Sequence, residues 1–383
     1  MHSTLAQGKW LMRSRKVTPG GDLVEIACKL HERAQNALVR GESREAESLC
    51  QQSLKMLRKN LGPSHPDVAN VTSTLAEVYE TCGDYRTALK LYGSAVEKLE
   101  AATRTTRQII VRKMFAQSLM QLARTYMELG RYKEAEPRFR RALALAEKVY
   151  PYNGLEVTAF LNNLAVLYKY MGRYSQAKRL YRRALNICER ELGRDHPEVA
   201  TLYHNMGGLE HARGRFAKAE PFARKSVAIR ERALGSDDLA VAADVAALAA
   251  IMEGRKKYDE AEQLYRRALN LFERSPVPAR YDIAVNLNNL ASLNYARGNI
   301  REAKKLYKRS LAIKERLFGR EHPDLAMTLN NLAVLYKAEN LPTTAGPLYR
   351  RALAIFSKVL GPKHPNTLLC RANYAELLED QGH

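Results

Sequence analysis

The chain of 383 residues holds a single tryptophan, Trp10, only five cysteines, and aromatic residues at 8%. Each scarcity excludes something. Cys28, Cys50, Cys82, Cys188 and Cys370 lie far apart with no Cys-x-x-Cys. That argues against disulfides and for a reducing compartment, so a cytoplasmic location is expected. No apolar run approaches the ~18 residues of a spanning helix, nor does the start follow the plan of a secretory signal. Phosphate loops, His-Glu-x-x-His, Gly-x-Ser-x-Gly and paired metal-ligand spacings are all lacking, so neither a catalytic centre nor a metal nor a cofactor is expected. Acidic residues are also short: 41 Asp plus Glu against 62 Lys plus Arg, a net charge of +21.

What the chain has is a repeat. Leu161-Asn162-Asn163-Leu164-Ala165-Val166-Leu167-Tyr168 returns as Leu329-Asn330-Asn331-Leu332-Ala333-Val334-Leu335-Tyr336, an offset of 332 − 164 = 168, four periods of 42. The Leu164 position recurs at Met206, Leu248, Leu290, Leu332 and Tyr374. Gly41, Gly83, Gly130, Gly172 and Gly214 mark a turn in the same phase, with one slip of five residues between Gly83 and Gly130. A fixed period of this length is the signature of a solenoid, in which each unit buries its apolar face against its neighbours.

Within one repeat, apolar residues are spaced three and four apart: Leu161, Leu164, Leu167 and Tyr168 in one stripe, Ala177, Leu180, Tyr181, Ala184 and Leu185 in another. This spacing predicts two amphipathic helices. Gly172 divides them, suited to the left-handed conformation that ends a helix. Repeats are joined by Leu-Gly-x-x-His-Pro at Leu61–Pro66, Leu192–Pro197 and Leu360–Pro365, with Phe for Leu at Phe318–Pro323. Proline suits the first helical position, where its missing N–H goes unnoticed. These residues resemble the tetratricopeptide repeat, and their 42-residue length, Leu-Asn-Asn-Leu-Ala core and His-Pro linker resemble its kinesin-light-chain and nephrocystin-type subclass. The resemblance implies an all-α, right-handed superhelical solenoid of about eight helix-turn-helix repeats with a C-terminal capping helix.

In chain order, residues 1–22 are a basic tail, with Lys9, Arg13, Arg15 and Lys16, read as a frayed terminus, or else as an organelle-targeting segment or a membrane-touching arm. A single solenoid spans 23–383: repeats at 24–66, 67–110, 111–154, 155–197, 198–238, 239–279, 280–323 and 324–365, then a cap at 366–383. The first repeat is degenerate, with Arg33 where the anchoring Leu belongs. The five extra residues fall in 101–110, read as a longer loop or an extended helix. Lys256 replaces the turn glycine in repeat six, and Ser275-Pro276-Val277-Pro278 makes a stiffer linker. Glu376, Glu379 and Asp380 mark the last helix as the cap.

The expected binding residues project from the first helices, which in this fold form the concave wall. Asn163 recurs in phase as Asn205, Asn289, Asn331 and Asn373, with Gln121 in the equivalent place and Ala247 breaking the run. A carboxamide both donates and accepts, so it can hold the peptide groups of an extended chain, or it can knit neighbouring helices. Arg124, Lys169, His211 and Lys337 lie two or five residues after the anchor and make repeats four and eight cationic on that side. The resemblance implies a non-catalytic scaffold that takes an extended acidic peptide in the groove. Two alternatives stand beside it: a nucleic-acid-associated protein using the basic surface, with Tyr-Arg-Arg pairs such as Arg266-Arg267 as its stripe, and a subunit of a larger assembly. His65, His196, His322 and His364 precede the linker prolines and are read as structural rather than as metal ligands.

Overall fold

The computed structural model describes residues 21–275 and 279–382, so residues 1–20 of the basic tail and Pro276, Val277 and Pro278 of the stiff linker lie outside it. The described residues are helical pairs. The first helices are α1 (Gly21–Val39), α3 (Pro66–Thr81), α5 (Ile109–Glu128), α7 (Val157–Tyr170), α9 (Pro197–Ala212), α11 (Leu239–Gly254), α13 (Arg280–Ala296) and α15 (Pro323–Ala338). Their second helices are α2 (Ser43–Leu61), α4 (Tyr85–Thr105), α6 (Tyr132–Val149), α8 (Tyr174–Leu192), α10 (Phe216–Leu234), α12 (Tyr258–Arg274), α14 (Ile300–Phe318) and α16 (Pro342–Val359). A ninth first helix, α17 (Pro365–Gly382), follows. Gly21 and Asp22 already belong to α1, two residues earlier than the tail boundary read from the sequence.

The chain divides into two compact units, the first ending at Leu167 and the second beginning at Tyr168. In each, helix pairs stack in sequence, the second helix of one pair packing on the first helix of the next, as α4 does on α5 and α10 on α11. The sequence explains the pairing. Ala88, Tyr92 and Ala95 on α4, Ala261, Tyr265 and Ala268 on α12, and Ala345, Tyr349 and Ala352 on α16 are all buried. The alanines let backbones approach, while the ring between them fills the space against the neighbour. The turn glycines take the left-handed conformation (Gly172 at φ 71°), and in repeats six and eight Lys256 (φ 61°) and Asn340 (φ 58°) adopt it without glycine's freedom. The five extra residues lengthen α4, which runs to Thr105 before a short break to Ile109.

The linker histidines have a specific task. His65 Nδ1 accepts from the Asp67 N–H at 3.2 Å, His196 from Glu198 at 3.1 Å, His322 from Asp324 at 3.2 Å and His364 from Asn366 at 3.1 Å. Each imidazole therefore caps the N-terminus of the following first helix, a role usually given to Ser, Thr, Asp or Asn. Asp238, in phase with His196 (196 + 42), does the same for Ala240 at 2.7 Å.

Successive first helices touch one another: α1 with α3 and α3 with α5 in the first unit, and α9 through α17 in the second. Second helices are bridged by long charged side chains. Arg267 pairs with Glu231 at 2.5 Å, Arg351 with Glu315 at 2.7 Å, and Arg309 with Glu273. Both series step by 42 (267, 309, 351 and 231, 273, 315). Arg141 makes the same reach to Glu100 at 2.7 Å in the first unit. The row of first helices is therefore the inner wall of each stack.

Candidate functional site

The inner wall is held by side chains two residues before the anchor in most repeats, a row that Ala246 and Ala372 interrupt. His31 Nε2 lies 2.6 Å from Thr74 Oγ1, and Ser73 Oγ lies 3.0 Å from Ser118 Oγ. Met120 Sδ accepts from Asn163 at 3.6 Å. In the second unit His204 Nδ1 lies 2.8 Å from Asp244 Oδ1, Asn288 Oδ1 accepts from Thr328 Oγ1 at 3.3 Å, and Asn330 Oδ1 accepts from Asn373 Nδ2 at 3.1 Å. In every case the partner is on the next first helix. Sequence reasoning missed this row because its residue types vary. The signal available was that His31, Ser73, Asn162, His204, Asn288 and Asn330 are all polar in one phase.

The ten residues expected to bind sit on first helices as anticipated, but they are not equivalent. The amide of Asn163 donates to its own helix at Ala159 O (2.8 Å) as well as to Met120, and Asn373 is bonded to Asn330. Asn331 Oδ1 accepts from Asn330 at 3.4 Å. Gln121, Asn205 and Asn289 are half-buried on α5, α9 and α13. Arg124 reaches Glu80 on α3 at 2.9 Å, and the same carboxylate takes the Thr125 hydroxyl at 2.9 Å. Lys337 is clasped by Glu376 at 2.9 Å and Asp380 at 3.0 Å, both from α17. Burial works against its charge, but the two carboxylates outweigh this and hold its pKa above the ordinary lysine value. The cationic reading of repeat eight is corrected accordingly: the charge of Lys337 is neutralised within the wall. The acids that marked α17 as a cap are, for Glu376 and Asp380, its ties to α15.

With this geometry in view, the family is decided by the sequence itself. A model of the tetratricopeptide repeat matches residues 25–101, 114–190, 156–232, 198–274, 239–316, 282–345 and 325–383. The chain belongs to the tetratricopeptide repeat family. Solved structures similar to this tetratricopeptide repeat protein include BtubC (BKLC) from P. vanneervenii, 28% identical over 61% of this chain and 92% of that one, with a TM-score of 0.49. A putative kinesin light chain from Podosopora anserina is 23% identical over 52% of this chain and 94% of its own, with a TM-score of 0.43. A Rap protein complexed with competence and sporulation factor is 14% identical, covers 93% of this chain and 98% of that one, and has a TM-score of 0.54, which shows a shared fold. No curated protein matches the chain.

Charge is distributed unevenly along the tetratricopeptide wall. In the first unit Glu77 and Glu80 face Arg124, and burial pushes the Glu77 carboxyl above its usual range. In the second unit Lys169 and His211 stand on α7 and α9, both half-buried. Burial lowers the pKa of Lys169. Burial, together with the nearby Lys169 charge, also lowers that of His211. Glu253, on α11, is raised by burial and accepts the Tyr265 hydroxyl at 3.0 Å. Among the described residues no group of His, Cys, Asp and Glu is arranged to hold a metal ion, and no helix is long and apolar enough to cross a membrane. The outer arginines are largely engaged: Arg266 with Glu262 at 2.7 Å, Arg140 with Glu136 at 3.6 Å, and the inter-helix series above.

Proposed function

We propose that this protein is a non-catalytic scaffold that takes an extended, acidic segment of a protein partner along the wall of first helices, in the cytoplasm. The observation that carries the reading is the pair Lys169 and His211. Each repeat of the wall offers a similar position, yet at Arg124 and Lys337 the cation is answered by a carboxylate, whereas Lys169 and His211 repel one another. Lys169 has no carboxylate across from it among the described residues, and an acidic ligand placed there would also favour proton uptake by the neighbouring His211, so the position favours a ligand that brings negative charge. The half-buried amides of Asn205 and Asn289 flank it in sequence phase and supply groups for peptide N–H and C=O. A Rap protein that shares this fold is complexed with competence and sporulation factor, in keeping with ligand capture on such a scaffold.

The nucleic-acid reading is weaker because the outer arginines it relied on are spent on Glu231, Glu262 and Glu315. The test is affinity capture from lysate at moderate salt after nuclease treatment, repeated with Lys169→Ala and His211→Ala together. The expected result is a protein partner whose binding segment is acidic and whose recovery falls in the double variant. Recovery of nucleic acid, abolished by nuclease, would hand the function to the alternative.

A further inference from the structure

One ion pair recurs in the second unit between a second helix and the turn of the following repeat, its members 35 residues apart. Glu220 on α10 pairs with Arg255 (255 − 220), and Glu262 on α12 pairs with Arg297 at 2.8 Å. One repeat further both charges are reversed together: Lys304 on α14 pairs with Glu339 at 2.7 Å. The two series step by 42, so in repeat four the same positions are Lys178 on α8 and Arg213, two cations. Arg213 turns instead to Glu210, at 3.3 Å. The mismatch continues along the helix. Glu220 and Glu262 also hold the arginine one turn on, Arg224 at 2.8 Å and Arg266 at 2.7 Å, whereas Lys178 has Arg182 in that direction. Like charges at i, i+4 destabilise a helix. Among the described residues Lys178, Arg179 and Arg182 make no ion pair or hydrogen bond, and both arginines are exposed. Repeat four thus breaks a local rule with no gain inside the chain, which points to a contact outside it.

We propose, building on the wall reading above, that Lys178, Arg179 and Arg182 are the outer half of the partner site. The acidic segment crosses from the inner wall over the turns of repeats four and five and continues onto α8. Side chains on two adjoining turns lay out this route. Lys169 and His211 stand at the ends of α7 and α9, three residues before Gly172 and Gly214. Beyond the first turn the Tyr174 hydroxyl donates to Ala212 O at 3.3 Å, and Arg213 lies over the Tyr174 ring. Lys178 follows Tyr174 by one helical turn and Arg182 follows Lys178 by another, each step about 6 Å along the axis. On the next second helix the phase of Lys178 is taken by Glu220, so the outer patch is one repeat wide. A patch of that width suits a few carboxylates of a polypeptide. A nucleic-acid backbone asks instead for a longer track of phosphate contacts.

Two labelled Glu-rich peptides serve as probes in fluorescence anisotropy with the full chain. One has about eight residues and the other about sixteen, reaching roughly 26 and 53 Å when extended. The longer peptide is expected to bind at least tenfold more tightly. Lys178→Glu restores the acid found at Glu220 and Glu262, so its melting temperature should equal or exceed that of the wild type. The same variant should lose at least fivefold in affinity for the longer peptide and nothing for the shorter. Lys308→Glu, in phase with Arg182 (182 + 126) and equal in net charge change, controls for the overall field. Lys169→Ala with His211→Ala should weaken both peptides. If that pair is silent while Lys178→Glu still costs fivefold, the wall reading fails alone and the outer patch stands. The proposal is overturned by a longer peptide that binds no tighter than the shorter, or by a loss no greater than that of Lys308→Glu. A lower melting temperature for Lys178→Glu also overturns it, because the lysine would then serve the fold. So does an oligonucleotide of equal charge that binds more tightly than the longer peptide and depends equally on Lys178.

Discussion

Arg230 Nε donates to Asp244 Oδ2 at 2.7 Å, and both side chains are buried between α10 and α11. His204 and the Ser226 hydroxyl hold the same carboxylate. Burial opposes its ionisation, but the His204 hydrogen bond and the Arg230 charge outweigh that and keep the carboxyl below its usual range. Eighty-four residues on (230 + 84, 244 + 84) the pair becomes Lys314 and Thr328. There the ammonium has a hydroxyl at 2.9 Å and the Asp324 carbonyl at 3.2 Å in place of a carboxylate. Burial lowers its pKa, which marks a site that disfavours the charge. Phe272 and Phe356 fill this phase in the intervening and following repeats.

The two cations should therefore respond oppositely to removal. Arg230→Met leaves Asp244 buried without its main counter-charge and is expected to cost about 3–5 kcal/mol. Lys314→Met is expected to leave stability unchanged or raise it by up to about 2 kcal/mol. Urea unfolding of the two variants decides, and equal losses would show that Lys314 is as well compensated as Arg230.

His31 provides a pH signature. It is 1% exposed, bonded to Thr74, and burial lowers its pKa from 6.5 to about 4. The unfolded chain takes up a proton near the ordinary histidine value, while the folded chain resists it. The stabilisation is thus complete above that value and is lost as pH falls towards the folded pKa. The interval corresponds to about 3 kcal/mol. Thermal midpoints measured from pH 7 to 4 should fall more steeply for the wild type than for His31→Gln, with the loss confined to the first compact unit. Parallel curves would mean that the imidazole is not the group responsible.

Gly207 stands on α9 where Ala165, Ala249, Ala291 and Ala333 stand on theirs, each 42 residues apart. A Cβ there would lie 3.5 Å from Ala219 O and Ala223 N and 3.7 Å from Ala223 Cβ, ordinary contact distances. Gly207→Ala should then gain the helix-propensity difference of about 0.8–1 kcal/mol without a steric charge against it. A rise of roughly 2–4 °C in the melting temperature is expected, and a fall would reveal a clash between α9 and α10.

Much of the fold was legible because the 42-residue phase repeats what each position must do. Leu164, Ala165 and Tyr181 are buried as their spacing required. Illegible features depend on what the neighbouring repeat places opposite. Nothing local says that Lys337 meets acids 39 and 43 residues further on (376 − 337, 380 − 337), whereas the His322 cap is a local bond to Asp324, overlooked because histidine is an unusual capping residue. The extra residues in 101–110 were ambiguous for a similar reason. Ala101 to Thr105 contain no helix breaker, so packing decided that α4 would continue.

The candidate wall can be separated from the outer surface kinetically. Cationic groups raise the encounter rate of an acidic peptide and its salt dependence, whereas amides bonded to its main chain act on dissociation. Three double variants are informative once a partner segment is in hand: Lys169→Ala with His211→Ala, Asn289→Ala with Asn331→Ala, and Arg266→Ser with Arg350→Ser. The last pair leaves the inter-helix bridges of Arg267 and Arg351 intact. The amide variant is expected to lose tenfold or more in affinity, about 1.4 kcal/mol, through faster release. The cationic variant should slow association, with a deficit that shrinks as salt rises. The outer pair should do little. His211 adds a sign: its pKa is held down by burial and by Lys169, so acidification below the ordinary histidine range charges it and should tighten binding of an acidic peptide in the wild type but not in the His211→Ala background. A larger effect from Arg266 and Arg350 than from the wall would place the partner on the second helices instead.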